Sequence, residues 1–286
     1  MKKLVLTLTI GLLAVSCIIN IGGMSWVGNC TEEGIDFTDV RDVKPFYGIS
    51  SGLPCNVYYI QANQQEVRVE STREFADKVL TTVEDGTLKL KLEEGRYPKL
   101  ILRVVISSPD IESISISGSG NLIHEGSLHA SKDLKLKVSG SGDILAGDIG
   151  SKDLTAHVSG SGSINASSIA CDDFDGSVSG SGSLRIGTVN CDGFEATTSG
   201  SGHVDIATLT AKDNASARVS GGGHIRLHDV AVDGDMNLKT SGSGSILVNG
   251  RCHDVTASTS GSGNISGDLS YTGIHTSTSG SGRVNL

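Results

Sequence analysis

The tetrapeptide Ser-Gly-Ser-Gly returns nine times, beginning at Ser117, Ser139, Ser159, Ser179, Ser199, Ser220, Ser241, Ser260 and Ser279, the sixth copy reading Ser-Gly-Gly-Gly. Successive copies stand 22, 20, 20, 20, 21, 21, 19 and 19 residues apart, so more than half of the chain is one short unit repeated. A unit of this length cannot bury its own apolar face and must stack on its neighbours, which predicts a solenoid.

Ser-Gly runs are ordinarily flexible linkers. Phase argues against that here. One residue before each of the last eight strings stands Val or Thr (Val138, Val158, Val178, Thr198, Val219, Thr240, Thr259, Thr278), and five before it stands an apolar residue, from Leu134 to Ile274. Five residues beyond the first Ser, every copy carries Leu, Ile or Val, from Leu122 to Val284. Because successive side chains in a strand face opposite ways, Leu134, Leu136, Val138, Gly140, Gly142, Ile144 and Ala146 fall on one face. The glycines are therefore expected to face inward and the serines outward. With a further apolar position near Ile149, Ile169, Val189, Leu209 and Val230 and polar turns at residues such as Asp133, Asp153 and Asp173, each coil reads as two or three short strands.

The expected fold is all-β: a right-handed parallel β-helix of about 20-residue coils, whose eight steps at about 4.8 Å make a rod section roughly 38 Å long. Its small inward residues predict a thin core. Ahead of the array, residues 35–116 show strand patterns with hairpin signals. Asn56–Ala62 and Glu66–Ser71 flank a polar turn, and Val79–Val83 and Leu88–Leu92 flank Asp85-Gly86, whose residue types suit the positive φ of a tight hairpin. This part is expected to be a strand-rich, antiparallel cap over the first coil of a 117–286 array. The array stops within a coil, which predicts shielding of the final edge by polar groups, by dimerisation or by a partner.

Met1-Lys2-Lys3 and the apolar run Leu4–Val15 have the form of a secretory leader over residues 1–16. The sequence Leu13-Ala14-Val15-Ser16-Cys17 resembles a bacterial lipobox, which makes Cys17 the expected lipidation site, with 17–34 as a tether to the outer membrane. Ordinary cleavage beside Cys17, or an uncleaved anchor over residues 4–28, are the alternatives, and all three place the folded part in the cell envelope, outside the cytoplasm. The formal charge is −9, or −11 once Lys2 and Lys3 are removed, and aromatic residues make up 4%. Such a chain is unsuited to nucleic acid, which needs basic surface and stacking rings.

Cys171 and Cys191 lie one repeat apart and should stack within disulfide reach; Cys252 shares their phase three coils further on, too far to join them. Cys30 and Cys55 form a second possible pair near the cap. For the array cysteines, simple occupation of a small, half-buried corner is the equal alternative. No zinc-type spacing occurs, and neither a metal nor any other cofactor is expected.

The best gathering of chemically able groups is Arg185 on one coil, His203 and Asp205 on the next, and His224 and Arg226 on a third, all outward by parity. Two stacked imidazoles and a carboxylate between guanidinium rows could bind an acidic sugar or another anion. The plainer reading is a solvated ladder of alternating charge. The serines lack a strand-turn-helix setting or an adjacent base, so no hydrolase nucleophile is assigned.

Val43-Lys44-Pro45-Phe46-Tyr47-Gly48-Ile49, Cys55-Asn56-Val57-Tyr58-Tyr59-Ile60-Gln61, Asp85-Gly86-Thr87-Leu88 and the run Ile111–Gly120 together resemble the putative auto-transporter adhesin, head GIN domain family, from about residue 43 onward. Pro54-Cys55 and Gly222 depart from its pattern. The resemblance implies a secreted or lipid-anchored envelope protein with β-helix structure and no catalytic residues. The expected function is thus a non-enzymatic adhesive or binding surface for a glycan or a surface protein, held to the membrane by lipid and able to self-associate as a dimer or end to end. A polysaccharide-active β-helix enzyme and a structural envelope component are the alternatives.

Overall fold

The computed structural model describes residues 26–286, so the expected leader and Cys17 lie outside the described residues. Each repeat supplies one strand to each of two long sheets, and like strands of successive coils pair in parallel. Upstream of the strings, Leu134–Val138, Leu154–Val158, Asp173–Val178 and Gly193–Thr198 begin one sheet. Downstream, Leu122–His129, Ile144–Gly150, Ser163–Ala170 and Ser183–Cys191 begin the other. The register stacks like on like: Leu134, Leu154, Phe174, Phe194, Ala215, Met236, Val255 and Ile274 form one column. The β-solenoid is therefore the fold that the repeat demands.

The downstream strands turn a corner. Gly147, Ser167, Gly187 and Ala207 drop out of the pairing, and the inward set passes from Ile144 to Ile149, and from Ile164 and Ala166 to Ile169, shifting parity by one residue. A third side of the coil results.

The strings confirm the outward serines but correct the reading of the glycines. A Cβ built on Gly140, Gly160 or Gly162 would lie closer than 3 Å to the carbonyl oxygen of the glycine one coil earlier. The missing side chains thus leave room along the rod axis, between coils, where parity along a single strand carries no information. Ser159 N donates to Val138 O at 2.8 Å, and Ser161 N to Gly140 O at 3.1 Å, so the corners continue the inter-coil hydrogen-bond ladder.

The core is thin, as the small inward residues require. Phe174 and Phe194 stack at 5.4 Å with an interplanar angle of 9°. Gly176 and Ala196 lie two residues on, and a Cβ on Gly176 would meet the Phe174 ring and Leu184 closer than 3 Å.

The N-terminal part extends both sheets. Gly48–Ser51 pairs in parallel with Ser113–Ile116, and Val57–Gln61 with Leu122–Ile123. The Asp85-Gly86 hairpin forms with φ of 49° and 69°. The segments Val57–Gln61 and Glu66–Ser71, however, do not pair with each other. Leu100–Ser108 lies between them, parallel to the first and antiparallel to the second. Its strict inward alternation (Leu100, Leu102, Val104, Ile106) fills the interior, so it takes the protected position and leaves Glu66–Ser71 nearer the edge. Antiparallel strands Phe37–Val40 and Val79–Glu84 end the two sheets, as a cap should. Part of the expected tether is integrated too. Trp26–Val27 pairs with Arg96–Tyr97, Cys30–Thr31 pairs with Leu100–Ile101, and Glu32 accepts hydrogen bonds from Asn56 and Tyr58. At the far end Gly273–Gly280 forms the outer edge of its sheet with Ile274 exposed.

Candidate functional site

The sheet register assembles the expected ladder. Arg185, Asp205 and Arg226 are successive strand partners, and beside them run Ser183, His203, His224 and Ser245. All point to the outer face, where Ser183 alone is covered, because their inward neighbours Leu184, Val204, Ile206, Ile225 and Leu227 fill the core. The His203 and His224 rings stack at 5.9 Å and 17°. His224 Nδ1 is 2.9 Å from Ser245 Oγ, whereas His203 Nδ1 is shielded without a hydrogen-bond partner. Burial, then Arg226 and His203, push the His224 pKa below the usual histidine value, because each disfavours a second local positive charge.

Asp205 lies 3.8 Å from Arg226 Nη1 and 3.0 Å from His228 Nε2. Arg185, although partnered with Asp205 in register, directs a guanidinium N–H to Ser183 Oγ at 2.6 Å and keeps its remaining donors available to a ligand. The arrangement offers two guanidinium groups and a row of imidazoles around one carboxylate, on a chain whose formal charge is −9. That local inversion of charge suits an anionic ligand with hydroxyl groups.

Sequence reasoning missed His228. It sits at the corner where parity changes, opposite Ala207, and alternation counted from the strings does not reach it. It also missed Asp175 and Glu195, partners on the opposite sheet. Burial, then the neighbouring Glu195, raise the Asp175 pKa, while Arg218 pairs with Glu195. A third omission is the exposed trio Asp235, His253 and Asp254, whose ligand atoms lie within 4.8 Å of one another across two adjacent corners.

Cys30, Cys171, Cys191 and Cys252 are thiols. Cys171 N donates to Asn190 O, which sets Cys171 directly over Cys191, while Ala211 and Val232 continue that column toward Cys252. Burial pushes the Cys171 and Cys191 thiols up to about 12 and Cys252 to about 11. Cys30 Sγ contacts Leu102 O at 3.8 Å, and Cys55 is buried.

Fold and ladder define a β-solenoid with a polar, ligand-accessible outer face. The chain belongs to the putative auto-transporter adhesin, head GIN domain family, which it matches over residues 45–231. The structure continues the same coils beyond that match, to Arg283–Asn285. It is similar to a putative adhesin from Parabacteroides distasonis ATCC 8503, with a TM-score of 0.71 at 17% identity over 89% of this chain and 98% of that one. A putative adhesin from Parabacteroides merdae ATCC 43184 gives 0.64 at 20% identity, over 90% and 98%. A putative lipid binding protein from Parabacteroides distasonis gives 0.59 at 20%, over 89% and 97%. At these identities the likeness is one of fold. No curated protein matches the chain.

Proposed function

We propose that the protein is a non-enzymatic binding rod of the bacterial cell envelope, tethered by lipid at Cys17, that holds an acidic glycan along the ladder from Arg185 to Arg226. The observation that carries this reading is the register Arg185, Asp205, Arg226 beside stacked His203 and His224, a cationic face on an acidic molecule. Guanidinium groups two coils apart are separated by about 10 Å, so alternate carboxylates of one extended polymer can meet them in turn. Membership of an adhesin family supports the surface-binding role and the envelope location.

The test is binding of the mature chain to polygalacturonate against a neutral glucan of equal length. The acidic polymer should bind, and Arg185→Ala with Arg226→Ala should weaken it at least tenfold. Equal binding of both polymers, or no loss in the double variant, would overturn the proposal. A second reading, a polysaccharide-active enzyme, draws on the raised Asp175 carboxyl beside Glu195. It requires turnover of a glycan that Asp175→Asn abolishes.

A further inference from the structure

In the second inward column of the downstream strands, four coils carry large aliphatic side chains: Ile186, Ile206, Leu227 and Val248, each at most 3% exposed. The three preceding coils carry His124, Ala146 and Ala166 at the same position. Two successive alanines leave the wall short of several methylene-sized groups, and Ala146 is partly exposed although its position faces inward. The corner beside them is open as well. The register slips between His124 and Ser127, so Glu125 and Gly126 bulge where the next coil has Gly147 alone, and Gly126 takes φ of 97°. The result is a shallow groove of about 530 Å³, open to solvent, across three coils.

His124 lines this groove and is 5% exposed. Its Nδ1 lies 3.0 Å from the carbonyl oxygen of Tyr59. A carbonyl can only accept, so Nδ1 donates to it, and in the neutral ring Nε2 then presents a lone pair. That Nε2 is buried and has no protein partner. A buried acceptor left in this state is costly, and a ligand that donates one hydrogen bond relieves the cost. The remaining contact surface is mostly aliphatic, from Ile123, Leu145, Ala146 and Ala166, with the polar Asn165 and Ser167 beside it. Among the described residues lining the groove there is no lysine or arginine, the one aromatic ring is the buried imidazole of His124, and Glu125 stands at its rim. The lining therefore disfavours carboxylate and phosphate heads and offers no platform for stacking a sugar.

We infer that the groove over Ala146 and Ala166 is a binding site for a neutral aliphatic molecule bearing a hydroxyl group, whose O–H donates to His124 Nε2 while its chain lies on the two alanines. The site is separate from the Arg185 to Arg226 ladder, and neither depends on the other.

The experiment follows the side-chain nitrogen resonances of histidine-labelled mature protein during titration with 1-octanol, with octanoate as the charged control. The His124 Nε2 resonance should shift saturably with 1-octanol. Octanoate should bind at least tenfold more weakly. Ala146→Ile installs the residue that the coils at Ile186 and Ile206 already accommodate, and it should weaken 1-octanol binding at least tenfold with an unchanged circular dichroism spectrum. Ala166→Val serves the same purpose if Ala146→Ile alters the spectrum. An unmoved Nε2 resonance, equal affinity for octanoate, or undiminished binding in the folded groove-filling variant would each overturn the inference.

Discussion

At the scale of single residues, the sharpest contrast lies between two glycines of the strings. Gly162 is irreplaceable on steric grounds, since a Cβ there would overlap the carbonyl of Gly142 in the coil before. Gly162→Ala should lower stability by more than about 3 kcal/mol, a loss reserved for backbone clashes of this kind. Gly222 occupies a serine position and a Cβ on it meets nothing within 4 Å, so Gly222→Ser should change stability by less than about 0.5 kcal/mol. Urea unfolding midpoints of the two variants decide the matter, and equal losses would discredit the axial packing described for the strings. A gain is expected one residue before the string. Thr198 is fully buried between Val178 and Val219, and its hydroxyl has no partner. Thr198→Val keeps the shape and removes the buried polar atom, so it should add about 1 kcal/mol by the same measurement.

At the scale of the strand and corner, the stacked cysteines make a chemical prediction. With pKa values near 12, the Cys171 and Cys191 thiols hold almost no thiolate at neutral pH, which makes them poor nucleophiles while the rod is folded. In reduced protein, iodoacetamide at pH 8 should modify them far more slowly than in urea, and the native rate should climb with pH. In protein recovered from the oxidising envelope, the pair is expected as a Cys171–Cys191 disulfide, with Cys252 left as a thiol. Peptide mapping without reductant checks this, and free Cys171 would refute it. This column also marks what the sequence makes legible. Stacking of like on like follows from a repeat period that holds to within two residues, so the coils, Phe174 on Phe194 and the His203–His224 pair could all be placed by counting. Counting fails wherever an extra residue enters a corner. Lys212 and Asp233 share the phase of the cysteines when counted from the strings, yet Ala211 and Val232 occupy their column. His228 escapes for another reason: its phase counts correctly, but it stands at the corner where the alternation of faces breaks. The cap was legible only as strands, because the insertion of Leu100–Ser108 between Val57–Gln61 and Glu66–Ser71 is decided by burial of its inward leucines, valine and isoleucine, which no local turn signal encodes.

At the scale of the whole molecule, pH should pull stability and ligand binding in opposite directions. The folded His224 titrates below its unfolded value of about 6.5, chiefly through burial and then through Arg226 and His203. Between those two values the unfolded chain binds more protons than the folded rod. The contribution of His224 to stability is therefore present above pH ~6.5 and is lost as the pH falls through the folded value. The same protonation adds positive charge beside Arg185 and Arg226, while a uronate polymer stays ionised down to about pH 5. Affinity for polygalacturonate should thus rise between pH 8 and 5.5 as the melting temperature falls. His224→Gln should flatten both profiles, since it removes the titrating group and keeps a hydrogen-bonding side chain beside Ser245. If the wild-type affinity is instead constant across that range, the imidazole stack lies outside the glycan's path, and the ladder acts through its arginines alone.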